Sequence, residues 1–346
     1  MAYEMEKEIL QQPEVLQNLI NQYITPENNI SFKLPEGIKK LKFIASGSSY
    51  HCSGMVAKIF REFANIKASY EYASEFYIAK NIFIDQNTLY IFISQSGETF
   101  DTVEALKRVK AKGGQTLCIT NCIDSSLWNL CDYKILSDAG EEKSIASTKA
   151  LTAQLFCLYL LMLEFLKTKG HNITTEINEI KQLPNFIDKF LKNIEQIKVA
   201  ADKLSKAQNA IIIGSKYYYS IAKEGALKIK ETSYLDANAY PQGEFLHGHV
   251  AVLNNKPVLI AIVVEDTKES MELILSKIFE DYTPELITIS NEDSINSKAM
   301  NIKIDTKNNI FNVFATVITF QVLAFETATK LGRNVDKPLG LKKIVK

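Results

Sequence analysis

Hydroxyl and amide side chains are concentrated where an apolar run of the sequence ends and a helical pattern begins. The run covers residues 89–93, and the polar side chains that follow it are Ser94, Gln95, Ser96 and Thr99. A helix is predicted to begin near Phe100, and a helix N-terminus offers unpaired N–H groups and a positive dipole end. Gly97 would let the backbone approach a ligand closely. The segment therefore predicts a phosphate-binding loop; the alternative is that Ser96 and Thr99 merely cap the helix.

Charged side chains at helical spacing mark a second candidate site. Glu224, Lys228 and Glu231 stand at i, i+4 and i+7, so a helix would place all three on one face. A carboxylate base and a cation would then meet one small substrate. The alternative is an ordinary solvated helix face, which is common for such triplets. The small residues Gly225 and Ala226 beside them favour a helix packed between other elements.

Two of the four histidines, His247 and His249, follow this helix in a loop. A His-x-His pair can bind a metal, but no further spacing typical of metal ligands accompanies it. No metal is therefore predicted, and no organic cofactor. An imidazole that gains or loses a proton near neutral pH would serve as an acid or base beside the charged helix.

Strands and helices alternate around both segments, which predicts parallel sheets covered by helices on both faces. Strands are predicted at 42–46, 89–93, 115–120 and 133–136, and again at 209–214, 257–264 and 286–290. Helices are predicted at 4–23, 55–63, 71–79, 101–112, 150–168, 268–281 and 310–331. The segment 209–217 parallels 43–50, because each is a strand followed by a Gly-Ser turn. This parallel indicates an internal duplication.

The composition fits a globular protein of two domains. The 346 residues are 46% hydrophobic, and 40 basic residues balance 40 acidic ones, which favours neither nucleic acid nor a membrane as partner. The five cysteines form no C-x-x-C motif, as expected for reduced thiols in the cytoplasm. The N-terminus lacks an apolar signal core. The apolar stretches 150–163 and 310–325 are predicted to be buried helices rather than membrane spans.

The run Ser-Gln-Ser-Gly-Glu-Thr at 94–99 resembles the signature of the sugar isomerase (SIS) domain family, whose members bind phosphosugars. Further motifs resemble the isomerase domain of glucosamine-6-phosphate synthase and its standalone relatives, in the same order. They are Glu224-Gly-Ala-Leu-Lys-Ile-Lys-Glu231, Gly243-Glu-x-x-His-Gly248, Asp336-x-Pro338 and Lys343.

The resemblance implies an α/β fold of two SIS subdomains related by duplication, each a parallel sheet flanked by helices in a three-layer, flavodoxin-like arrangement. The implied boundaries are an N-terminal helical segment at 1–37, subdomains at 38–170 and 208–332, a helical connector at 171–207, and an active-site tail at 333–346.

Carried over by position, the resemblance also implies a role for each site residue. The phosphate would be held by Ser49, Ser94, Gln95, Ser96 and Thr99, and the sugar contacted by Ile145 and Ser147. Glu231 would be the base that moves a proton between C1 and C2. His247, contributed by a neighbouring subunit of a homodimer, would open the sugar ring. Lys228 would steady a sugar oxygen, and Lys343 would engage the open-chain carbonyl.

The sequence departs from the synthase pattern at Leu246, His249 and Leu339-Gly340, where the synthase carries lysine, proline and an Arg-Asn pair. The chain also starts near the beginning of the isomerase half, without an N-terminal nucleophilic cysteine or a glutaminase domain, so glutamine is not expected as its nitrogen donor.

The expected function is therefore that of a cytoplasmic phosphosugar isomerase or deaminase that needs no cofactor. The favoured form converts glucosamine 6-phosphate to fructose 6-phosphate and ammonia. The alternatives within the same chemistry are a fructosamine-6-phosphate deglycase and a plain aldose–ketose isomerase. An alternative of another class is a non-catalytic phosphosugar sensor, which would not need Glu231, His247 or Lys343.

Overall fold

The structure, a computed structural model, describes residues 3–32, 34–264, 267–293 and 299–343. It divides into two compact units. Unit 1 comprises Met1–Leu10, Lys143–Thr148 and Phe186–Leu341, and unit 2 comprises Gln11–Glu142, Lys149–Asn185 and Lys342–Lys346. The last three residues of the predicted tail lie outside the described residues.

The chain alternates strands and helices through most of its length. The helices are α1 (Glu4–Leu10), α2 (Gln12–Tyr23), α3 (Gly47–Phe63), α4 (Ala73–Ile78), α5 (Phe100–Ala111), α6 (Ser126–Leu130), α7 (Lys149–Thr168), α8 (Thr174–Ile180), α9 (Leu183–Leu191), α10 (Glu195–Ser205), α11 (Lys216–Ser233), α12 (Gln242–Phe245), α13 (Lys268–Asp281) and α14 (Asn309–Lys330). The strands are β1 (Lys40–Ala45), β2 (Lys67–Tyr72), β3 (Thr88–Ile93), β4 (Gln115–Thr120), β5 (Tyr133–Leu136), β6 (Asn209–Gly214), β7 (Asp236–Pro241), β8 (Val258–Val263), β9 (Glu285–Ser290) and β10 (Met300–Lys303).

Unit 2 is built on a parallel sheet of five strands in the order β2-β1-β3-β4-β5. Every residue of the central strand β3 is buried, as its uninterrupted apolar sequence predicts. Successive side chains of a strand point to opposite faces. Ile44 and Phe92 therefore pack with α4, α5 and α6 on one face. Phe43 faces the other way, where its ring meets that of Phe60 on α3, and α7 packs beside α3.

Unit 1 contains a second parallel sheet of five strands, in the order β10-β9-β8-β6-β7. Counted from the first strand of each half, both sheets have the order second, first, third, fourth, fifth. Ile211 and Leu259 pack with α12 and α13 on one face, and α11 and α10 contact strands of the same sheet. The predicted fold of two duplicated parallel sheets, each flanked by helices, is confirmed.

Three strands, β2, β7 and β10, were not predicted, because they are polar edge strands. The predicted helix at 71–79 is wrong in its first turn, since Lys67–Tyr72 form β2 and the helix begins at Ala73. Each has a single buried side chain, which is Ala68 in β2, Ala237 in β7 and Ile302 in β10. A strand with one buried side chain lacks the apolar pattern on which strand prediction depends. The predicted helix at 4–23 is likewise two helices, α1 and α2.

The two most apolar helices are largely buried. By length and composition alone α7 and α14 could cross a membrane, but 89% and 83% of their apolar windows are buried inside the structure. Helices in the cores of soluble proteins have the same properties. This burial agrees with the prediction that both stretches are buried helices.

A close approach of α11 and α14 depends on Gly225. A Cβ placed at Gly225 would lie 2.5 Å from the ring of Phe320. In an exposed helix, replacing glycine by alanine stabilises the helix by about 1 kcal/mol. In a packed core, an added methyl group that overpacks the site typically destabilises the protein by ~1–3 kcal/mol. Gly225→Ala is therefore expected to lower the free energy of unfolding measured by denaturant titration. The control is Gly243→Ala in α12, where a Cβ meets nothing within 4 Å. Equal stability of the two variants would contradict the close packing.

Candidate active site

The loop between β3 and α5 is closed by its own hydroxyl groups. Ser94 Oγ lies 2.9 Å from Thr99 Oγ1 and accepts a hydrogen bond from the Gly97 N–H at 3.1 Å. Ser96 Oγ accepts one from the Glu98 N–H at 3.2 Å. Thr99 occupies the N-cap position of α5 without making a side-chain cap bond. The simple capping alternative is therefore wrong for Thr99, and the loop is a preformed turn at a helix N-terminus.

The glycine and glutamate of this loop fix it to the neighbouring helix α6. Gly97 has a φ of +67°, and a Cβ there would overlap the side chain of Ser125. A side chain at Gly97 would thus collide with Ser125, so glycine is needed there for packing. That the Gly97 backbone comes close to a ligand stays a prediction. The Glu98 carboxylate accepts hydrogen bonds from the N–H and the hydroxyl of Ser126, at 2.7 and 2.8 Å. Gly97 and Glu98 thus serve to hold the turn in shape.

Ser49 lies at the same edge of the sheet as this loop. Ala45 at the end of β1 pairs with Ile93 at the end of β3, and Ser49 stands in the first turn of α3 after β1. Its hydroxyl donates to Gln154 Oε1 at 3.0 Å. Between β1 and β3 the order of the strands reverses, and open parallel sheets bind ligands at such a point. The hydroxyl-rich groups of unit 2 therefore line the place where a phosphate is expected.

In unit 1, helix α11 presents the predicted charged triplet, and the structure brings its members together. Lys228 Nζ lies 2.5 Å from Glu231 Oε2 and 3.6 Å from Glu224 Oε1. The side chains of Lys228 and Glu224 are 1% and 2% exposed, whereas that of Glu231 is 22% exposed. The prediction of a packed helix is confirmed over a solvated face. Glu231 is therefore the accessible carboxylate of the triplet.

Ile145 and Ser147 lie in the loop Lys143–Thr148, which belongs to unit 1. Both residues are partly exposed, and the Ile145 N–H donates to the carbonyl oxygen of Asp336 at 3.1 Å. His247 follows α12 and is exposed, with its N–H bonded to the Glu244 carbonyl oxygen at 3.0 Å. Within the described ranges its imidazole has no hydrogen-bond or ion-pair partner. An exposed imidazole is available to a ligand or to a second subunit.

Lys343 is paired with a carboxylate that sequence reasoning did not single out. Its Nζ lies 2.7 Å from Glu142 Oε2, and Glu142 Oε1 accepts a hydrogen bond from the Ala150 N–H at 3.1 Å. The Glu142 side chain is fully buried, so it needs such partners. The adjacent glutamates 141 and 142 gave no local signal that one of them is buried.

The predicted site residues are divided between the two units. Unit 2 holds Ser49, Ser94, Gln95, Ser96, Thr99 and Lys343, and unit 1 holds Ile145, Ser147, Lys228, Glu231 and His247. Among residues 3–32, 34–264, 267–293 and 299–343, no three His, Cys, Asp or Glu side chains are grouped as metal ligands. That the two groups face one substrate stays a prediction.

Comparisons with known proteins assign both halves of the chain to one family. The family model described as SIS domain matches residues 37–164 and 203–331. The glutamine–fructose-6-phosphate aminotransferase (isomerizing) of Caldanaerobacter subterraneus subsp. tengcongensis is 35% identical over 359 residues, covering 99% of this chain and 58% of that relative. The chain thus spans little more than half the length of the curated relatives it matches.

Solved structures show the same relationship. The C-terminal domain of glucosamine-fructose-6-phosphate aminotransferase from Francisella tularensis has a TM-score of 0.91 and 30% identity, with 98% of both chains covered. Glucosamine-6-phosphate deaminase from Thermotoga maritima has a TM-score of 0.80 over 99% of both chains, but at 19% identity this likeness shows the fold alone. The chain therefore belongs to the SIS domain family and is homologous to the isomerase domain of the aminotransferases.

Proposed function

We propose that this protein is a phosphosugar isomerase whose favoured substrate is an amino sugar 6-phosphate. The observation that carries the proposal is the buried ammonium of Lys228 beside the accessible carboxylate of Glu231, at 2.5 Å. Burying a lysine is costly unless the group is paired. Helix α11 holds the Lys228 ammonium in an ion pair with the partly exposed Glu231 carboxylate. It therefore has the groups needed for proton transfer and for stabilising negative charge.

The reaction would proceed through an open-chain intermediate. The turn at 94–99, with Ser49, would hold the phosphate, and His247 of a neighbouring subunit would open the ring. Glu231 would remove the proton at C2 and return it at C1. Lys228 would stabilise the oxygen that gains charge as the enediol or enolamine forms, and Lys343, held by Glu142, would engage the carbonyl.

The fate of the C2 substituent separates the closely related functions. With glucosamine 6-phosphate, moving the proton from C2 to C1 gives a ketimine, and one water then releases ammonia and leaves fructose 6-phosphate. With a hydroxyl at C2, the same proton transfer gives a ketose and nothing leaves. The name of the aminotransferase relatives, which act on fructose 6-phosphate, supports an amino sugar. A homodimer in the cytoplasm is part of the same proposal.

A panel of substrates tests the proposal. The protein is incubated with glucosamine, galactosamine and fructosamine 6-phosphates and with glucose 6-phosphate, and ammonia and ketose phosphate are measured separately. Equal amounts of ammonia and fructose 6-phosphate from glucosamine 6-phosphate are expected. Ketose without ammonia would indicate a plain isomerase, and ammonia only from fructosamine 6-phosphate would indicate a deglycase. Binding without turnover on any member would contradict the enzymatic function and favour a sensor.

A further inference from the structure

The loop Lys143–Thr148 is fixed by residues that are far from it in sequence. Within unit 1, Glu8 Oε1 accepts hydrogen bonds from the N–H groups of Lys143 and Ser144, the second at 3.3 Å. The next N–H along the loop, that of Ile145, donates to the Asp336 carbonyl oxygen at 3.1 Å. Three consecutive backbone donors of the loop are thus held by α1 and by the segment after α14.

Asp336 also joins the segment after α14 to α1. Its carboxylate accepts hydrogen bonds from the N–H groups of Glu4 and Met5, at 3.0 and 2.8 Å. These donors belong to the first turn of α1, where backbone N–H groups lack partners within the helix and a negative charge is favoured by the helix dipole. The side chain of Asp336 therefore fixes the position of α1, and its backbone carbonyl group fixes the position of the loop.

The far end of the loop is held as well. Gln321 in α14, which is fully buried, donates from Nε2 to the Thr148 carbonyl oxygen at 3.2 Å. Glu8 is 3% exposed, and a buried carboxylate is stable only when donors surround it. A loop pinned at 143, 144, 145 and 148 has little freedom left at 146 and 147, so the positions of Ile145 and Ser147 are set by these contacts.

We propose that Glu8 and Asp336 are positioning residues for sugar recognition, and that α1 is part of the substrate site. The proposal rests on the proposed function, in which Ile145 and Ser147 contact the sugar. Neither residue needs to touch the ligand, since each acts through the backbone of the loop. The sugar contacts would depend on α1, whereas the phosphate contacts would not, because Ser94, Ser96 and Thr99 are held by other bonds in unit 2.

Binding measurements with two probes test this separation. Glu8→Met keeps the side-chain volume but removes the acceptor, and Glu8→Gln keeps one acceptor oxygen. Misplacing a group that contacts the substrate by ~1 Å can cost up to ~10²-fold in rate. We therefore expect Glu8→Met to weaken the binding of a non-isomerisable hexitol 6-phosphate roughly tenfold. Inorganic phosphate should bind to it as it does to the wild type. Glu8→Gln should recover part of the loss, and Asp336→Asn should behave like Glu8→Gln.

The control is Glu6→Met, which removes a carboxylate from the same helix without touching the loop. It should leave both probes unchanged. If Glu8→Met weakens the binding of hexitol 6-phosphate and of inorganic phosphate equally, the proposal is overturned. It is also overturned if the binding of both probes is unchanged. Should Glu8→Met fail to fold, Glu8→Gln and Asp336→Asn decide in the same way. Because the probes require no turnover, a protein without isomerase activity would refute the proposed function and still report on Glu8 and Asp336.

Discussion

Replacing Glu231 by glutamine is expected to lower kcat by roughly 10²–10⁴-fold, the usual contribution of a general base. Glutamine has nearly the same shape and still reaches Lys228, but its amide does not accept a proton from carbon. Binding of a hexitol 6-phosphate should persist, because the phosphate-binding residues lie on other elements. The expected result is therefore a protein that binds the substrate and does not turn it over.

Steady-state kinetics and equilibrium binding separate the two effects for Glu231→Gln. The matched control is Glu280→Gln, at an exposed glutamate near the end of α13. That variant should retain wild-type kcat and binding. A Glu231→Gln variant that keeps kcat within a factor of about three would show that this carboxylate is not the base. Circular dichroism establishes that both variants are folded.

Replacing Lys228 by methionine is expected to cost about 3–5 kcal/mol of stability, the typical effect of breaking a buried ion pair. The variant leaves the carboxylate of Glu224, only 2% exposed, without the ammonium 3.6 Å away. The loss should appear as a lower midpoint of denaturant unfolding. The control Lys230→Met changes an exposed lysine on the same helix and should shift stability by less than about 0.5 kcal/mol.

A double variant distinguishes the buried charge from other consequences of losing Lys228. Glu224→Gln combined with Lys228→Met removes both buried charges, and much of the lost stability should return. Activity should not return, because the cation that steadies the sugar oxygen is still absent. If the double variant is as unstable as Lys228→Met alone, the lost stability comes from packing and not from the loss of the ammonium beside Glu224.

The parts of the site that sequence reasoning found are those with local patterns. The buried strand β3, the turn after it and α5 are consecutive, so an apolar run followed by hydroxyl groups was enough to predict them. The stripe of Glu224, Lys228 and Glu231 follows from helical spacing alone. The SIS resemblance supplied roles for residues such as Lys343, whose neighbours give no such pattern.

The partners of those residues could not be predicted, because they are distant along the chain. Glu142 meets Lys343 across 201 positions, and Asp336 meets Met5 across 331. No periodicity connects such pairs, and a single glutamate in a charged segment looks like any exposed one. The packing role of Gly97 could not be predicted for the same reason, since Ser125 comes close to it only in the folded chain.

The polar composition of β2 and β7, which prevented their prediction, also affects how the edges of the two sheets interact with other protein chains. Each strand forms the edge of its sheet and so presents a row of backbone groups to which another chain could add a strand. Lys67 and Glu71 lie on β2, and β7 begins with Asp236 and ends at Pro241. Charges and proline at an edge oppose strand addition. Addition of a strand from another chain is therefore disfavoured at the β2 and β7 edges.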